Sequence, residues 1–160
     1  MLRALSIAAL TFAPAGYASE DIADQYPGSA LYSKPVEVIP GVWSAIGATA
    51  PPTYENTGHN NNLSFIVTGD GVVVVNGGAA YLLAKALHDE IKLITDQPVK
   101  LVINENGQGH AMLGNSYWFE QQVPILAHLD AVHEFEQRGS DSLEAMKRYN
   151  RGKADGTVLV

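Results

Sequence analysis

The chain of 160 residues contains no cysteine. That absence excludes disulfide stapling, thiolate zinc sites, iron–sulfur clusters and thiol nucleophiles. Any metal would have to be held by imidazole, carboxylate or amide oxygen. Only five histidines are available: His59, His88, His110, His128 and His133. Positive charge is scarce as well, with 10 basic side chains against 17 acidic ones and a formal net charge of −7. Such a surface repels phosphates, whose neutralisation dominates nucleic-acid binding, so no nucleic-acid partner is expected. An apolar run of about 20 residues, the length that spans a bilayer, is missing, so no transmembrane segment is expected. No Gly-x-Ser-x-Gly elbow occurs, which removes the common serine-hydrolase signature. What is present, 46% hydrophobic and 17% charged residues, suffices for a packed core in one ordinary domain.

Residues 1–18 read as a secretory signal peptide. Met1-Leu2-Arg3 is a short basic start, Ala4 to Phe12 is a mostly apolar run, and Ala13 to Ala18 carries small residues at the positions before Ser19. Basic end, apolar core and small-residue cleavage site are the three parts of such a segment. Cleavage is expected after Ala18, with a periplasmic or secreted location. Residues 19–35 are polar and rich in turn formers, and are expected to be an extended lead-in to a domain over 36–160.

That domain is strongly patterned. Val36 to Ile46, interrupted by Pro40-Gly41, reads as a hairpin. Gly47 to Asn62 is a long loop rich in Pro, Thr, Asn and Gly, and loops of that length are usually functional or disordered. Leu63 to Thr68 is a strand. Val72 to Val75 is a continuous β-branched run, as expected of a strand buried on both faces. Ala79 to Ile94 is an amphipathic helix with Leu82, Leu83, Ala86, Leu87 and Ile91 on one face. A strand over Val99 to Asn104, a helix over Ala111 to Gln121 weakened by Gly114, and a strand over Val123 to Ala127 follow. Two helices close the pattern, Leu129 to Arg138 and Ser142 to Tyr149. Alternating strands and helices imply an α/β fold in layers, with sites in the loops at the C-terminal strand ends. Two such loops stand out: Asn76-Gly77-Gly78, and Asn104 to His110.

The strand pair ending Gly69-Asp70-Gly71-Val72-Val73-Val74-Val75-Asn76-Gly77-Gly78, then a helix, a strand, a turn and Leu113-Gly114-Asn115, resembles the N-terminal half of the metallo-β-lactamase superfamily. The resemblance covers roughly Val36 to Val160. It implies one half of an αββα sandwich (α+β), a hydrolase-like site, and zinc as the family's cofactor. In that family the first motif ends in Asp-x-Gly, and the later strand ends in His-x-His-x-Asp-His followed by Gly-Gly or Gly-Asn. With Gly114-Asn115 as anchor, Asn76 falls on the first Asp, Asn106 and Gln108 on the first two His, His110 on the later Asp, and Ala111 on the last His. A one-residue shift would put His110 on the last His and Glu105 on the first, with Gly107 and Gly109 on the other two.

The zinc motif is therefore read as degenerate. Asn106 and Gln108 offer neutral amide oxygens, which are poor zinc donors, and Ala111 offers nothing. His110 remains as a weak metal candidate. Ordinary zinc-dependent hydrolysis is not expected, and the expected cofactor is none, or zinc weakly bound. Three alternatives stay open: a metallo-hydrolase with unusual ligands or with ligands from a missing second half, a metal-free module binding a small molecule or anion through Asn76, Asn106, Gln108 and His110, and a vestigial hydrogen-bond network. His59, in the long loop, is a further candidate to touch a ligand, with a solvated loop histidine as the commoner reading. His88 is expected at the surface, and Tyr117-Trp118-Phe119 in the core. Because the resembled family is longer, the resemblance implies either a fragment or truncated gene product, or an open apolar sheet face covered by self-association or a partner.

Overall fold

The computed structural model describes residues 26–160. The signal-peptide segment 1–18 and the first part of the lead-in lie outside the described residues. From Tyr26 to Pro35 the lead-in forms turns and bends rather than an extended arm. It is tied down because Leu31 is buried in the core and the Tyr26 hydroxyl donates to Glu90 at 2.6 Å.

Six strands form one mixed sheet in sequence order: β1 (Val36–Ile39), β2 (Val42–Ala45), β3 (Leu63–Val67), β4 (Val72–Val75), β5 (Val99–Asn104) and β6 (Ile125–Ala127). The first four are antiparallel neighbours, while β5 runs parallel to β4 and β6 parallel to β5. Parallel pairs need a crossover, and α1 (Tyr81–Ile94) supplies the first. The second contains α2 (Gly109–Met112) and α3 (Asn115–Glu120). A long helix, α4 (Leu129–Asn150), follows β6 and ends in a 3₁₀ turn over Arg151–Ala154.

Strand alternation sorts the sheet into two faces. Leu63, Phe65, Val72, Val74 and Val102 point into one core with Leu83, Leu87 and Ile91 of α1, Trp118 of α3 and Met146 of α4. Their neighbours Ile66, Val73, Val75, Leu101, Ile103 and Leu126 pair across the strands on the opposite face. Val73 and Val75 are half-buried, Ile66 is 37% exposed and Leu126 55% exposed. The expectation that β4 is buried on both faces is thus corrected. Helices α1 to α4 each give buried side chains to the cluster on the Phe65 side, and among the described residues the other face is left partly open.

Three helical expectations also change. Helix α1 starts at Tyr81, and its buried stripe is Leu83, Ala84, Leu87, Glu90 and Ile91, with Leu82 and Ala86 only half-buried. The helix expected over Ala111 to Gln121 is two short helices broken at Gly114. Gly114 N–H donates to Gly78 O at 2.6 Å, and a Cβ at Gly114 would run into the Gly77 carbonyl. Close backbone approach, not helix propensity, sets this position. The two helices expected after β6 are one continuous helix. Gly139, between the two expected ranges, is buried within it, facing the Phe135 ring, so packing overrides the low helix propensity of glycine.

His88 is not at the surface. Its ring is half-buried between α1 and α3, with Nδ1 2.8 Å from the Tyr117 hydroxyl and the ring tilted against Trp118. Burial, its largest cause, lowers its pKa. Tyr117 and Trp118 are in the core as expected, but Phe119 is 67% exposed.

Candidate functional site

The parallel pairing of β4 and β5 brings the two glycine-containing loops side by side. Asn76 leaves β4 with a left-handed φ of 69°, a conformation asparagine tolerates better than most residues. Its Nδ2–H donates to Glu105 Oε1 at 3.1 Å and its Oδ1 accepts Glu105 N–H at 3.2 Å. Asn104, at the end of β5, accepts Gly77 N–H on Oδ1 at 2.9 Å and donates from Nδ2 to Asn115 Oδ1 at 3.2 Å. The Trp118 indole N–H donates to Gly77 O at 3.1 Å. Amide side chains thus lock the two strand ends to each other and to α3. The Gly114-Asn115 pair has a structural reason: Gly114 lets α3 touch the β4 exit, and Asn115 completes the lock.

The β5 loop carries the other sequence candidates. Asn106 Oδ1 accepts Gln108 N–H at 2.8 Å, closing a local turn. Asn106 Nδ2 donates toward His110 Nε2 at 3.3 Å. His110 is half-buried. Burial lowers its pKa, and the charges of Glu105 and Glu134 oppose that shift.

Gln108 and His110 line a cleft of about 310 Å³ between this loop and α4. Its other polar walls are Asn60, Glu134, Arg138, Ser142 and Tyr149. Arg138 Nη1 lies 3.9 Å from Glu134 Oε1, an exposed contact of small energetic weight. Asn60 Oδ1 is sequestered from solvent without a hydrogen-bond partner. Burial pushes the Tyr149 phenol up to about 12, so it is a neutral donor throughout the physiological range. These α4 residues escaped the sequence reading. Their signal is the spacing 134, 138, 142, 145 and 149, one helix face over four turns. Reading α4 as two helices hid it.

The structure divides the sequence candidates. Gln108 and His110 line the cleft, and Asn106 stands behind them, bonded to both. Asn76 is one step removed, reaching them through Glu105. Ala111 is buried in the core. His59 belongs elsewhere: it is fully buried, correcting both the ligand-contact and the solvated-loop expectations. Its Nδ1 accepts Tyr32 N–H at 2.9 Å, which requires the proton on Nε2, 3.2 Å from Ala45 O. Burial lowers its pKa to about 4. It clasps the lead-in and β2 together, while its neighbour Asn60 and Pro52 of the same loop reach the cleft.

The donor set does not fit zinc. Of the positions aligned with metal ligands, Asn76 and Asn106 have both side-chain polar atoms engaged by protein partners. Gln108 has a neutral amide, and His110 is a single imidazole. Among the described residues, no three His, Asp or Glu side chains converge closely enough to hold a metal ion.

Neither a family model nor a curated protein matches this chain. Solved structures do. A metallo-β-lactamase from Hirschia baltica aligns over 66% of this chain and 47% of its own, at TM-score 0.55 and 21% identity. A mono-zinc metallo-β-lactamase from Pseudomonas aeruginosa aligns over 66% and 46%, at TM-score 0.53 and 16% identity. One from Erythrobacter litoralis, solved with β-mercaptoethanol in its active site, aligns over 66% and 45%, at TM-score 0.53 and 15% identity. The six-stranded sheet and its helices have the metallo-β-lactamase fold. The chain spans less than half the length of the solved chains it matches.

Proposed function

We propose that this chain is a secreted protein of metallo-β-lactamase-like fold whose cleft binds a small polar ligand without zinc and does not perform ordinary zinc-dependent hydrolysis. The observation that carries the reading is the amide lock. Asn76 spends its amide on Glu105 and Asn106 spends its amide on Gln108 N–H and His110, and His110 is the imidazole that lines the cleft. Support for a ligand comes from the exposed Gln108 and Arg138 and the half-buried His110 that line the cleft. An acidic group would suit Arg138 at the rim. Secretion rests on the residues 1–18 pattern.

A second reading has one observation in its favour. The chain spans 46% of the mono-zinc Pseudomonas aeruginosa enzyme, so a hydrolase could draw ligands from residues beyond those described.

The test is thermal unfolding of the purified protein against hydroxy acids, amino acids and dicarboxylates, beside a chromogenic β-lactam assay with added zinc. A saturable rise in Tm, lost in Arg138→Gln and His110→Ala, is expected, with no lactam turnover. Turnover with added zinc that His110→Ala abolishes would overturn the proposal.

A further inference from the structure

The sequence holds two Asn-Gly pairs, Asn76-Gly77 and Asn106-Gly107, and the fold treats them oppositely. The amide carbon of an asparagine followed by glycine is open to attack by the glycine's backbone nitrogen. Glycine has no Cβ to hinder the approach and permits the rotation it needs.

At Asn76 the attack is blocked. Gly77 N–H is donated to Asn104 Oδ1, so its nitrogen is held away from Asn76 Cγ. The Asn76 amide is fixed at both ends by Glu105. Both residues are buried.

At Asn106 the first of these restraints is lacking, although its amide is held by Gln108 N–H and His110 and Gly107 is buried. Gly107 N–H has no hydrogen-bond partner among the described residues. Asn106 is half-buried, with exposed Glu105 before it and buried Gly107 after it, so water reaches its side chain. Its Oδ1 accepts Gln108 N–H, which folds the side chain back over Gly107 and polarises the carbonyl toward a nucleophile. Its Nδ2, the atom that must leave, lies beside His110 Nε2. Gly107 packs against Ala131 of α4, which holds the turn in this arrangement.

We propose that Asn106 is a self-modification site that converts to a carboxylate while Asn76 does not. The Gly107 nitrogen loses its proton and bonds to Asn106 Cγ. The Cγ–Nδ2 bond breaks, and Nδ2 leaves as ammonia after taking up a proton from solvent. One water then opens the cyclic imide at either carbonyl, giving aspartate or isoaspartate at position 106. The net exchange is one water taken up and one ammonia released, with no oxidant or cofactor. The product carries a negative charge against His110, so conversion changes the charge of the cleft.

The experiment incubates the purified protein in warm, mildly alkaline buffer and follows both sites by peptide mapping and mass spectrometry. A parallel sample is kept unfolded in urea. In the folded protein, position 106 is expected to convert at least about tenfold faster than position 76, the difference local protection of a buried segment readily produces. In urea the two sites are expected to converge, because the protection of Asn76 comes from the fold. Asn106→Gln is expected to remove the acid shift from its peptide. The proposal is overturned if Asn106 stays an amide in the folded protein over a period that converts it in urea. It is equally overturned if Asn76 and Asn106 convert at the same rate while folded.

Discussion

A histidine next to three asparagines in a long loop looks like a ligand contact, and His59 is instead an interior clasp. Position in the sequence could not reveal this, because its partners Tyr32 and Ala45 are brought to it by tertiary packing. His59→Ala removes two buried hydrogen bonds and leaves a cavity, and is expected to cost about 2–4 kcal/mol in denaturant unfolding. The same residue sets a pH dependence. Its pKa is about 4 when folded and near 6.5 in the unfolded chain, so the unfolded state binds the extra proton between those values. The contribution is fully present above about pH 6.5 and is lost as pH falls from there through about 4, a total of about 3 kcal/mol. In His59→Ala the fall in stability across that window is expected to flatten by this amount. An unchanged slope would show that another group dominates it.

Among the elements, strands were the easier part to read. The runs Leu63–Val67, Val72–Val75 and Val99–Asn104 announce themselves by β-branched residues and bounding turns, and they fall within a residue of expectation. Helix breaks were harder, since Gly114 and Gly139 look alike in sequence and act oppositely. Gly114 breaks its helix because the chain must touch Gly77, whereas Gly139 stays helical because Phe135 packs over it. Gly114→Ala is expected to destabilise by about 2–4 kcal/mol, because the new methyl meets a backbone carbonyl that has no room to yield. A loss below about 0.5 kcal/mol would mean the β4 exit and α3 are not locked together. The cleft was half-readable for the same reason. Its loop residues Gln108 and His110 are legible from the motif, while Glu134, Arg138 and Tyr149 require knowing that α4 is unbroken.

At the scale of the whole molecule, the described residues cover the two sheet faces unequally. Val42, Ile66, Val73 and Leu101 form an apolar row across the sheet that, among the described residues, no buried helical side chain of the core cluster covers. Apolar sheet faces of this kind associate. Sedimentation of the wild type is expected to show concentration-dependent self-association, reduced by Ile66→Lys without loss of secondary structure. A wild type that stays monomeric at all concentrations would contradict this. The functional reading rests on the ends of β4 and β5, where Asn76 is bonded to Glu105 and Asn104 to Gly77 and Asn115. Zinc itself is therefore the most telling quantity to measure. The protein is dialysed against excess zinc and then against metal-free buffer, and bound metal is compared between wild type and His110→Ala. Little retained zinc, the same in both, is expected. One equivalent held by the wild type and lost from His110→Ala would contradict a metal-free cleft.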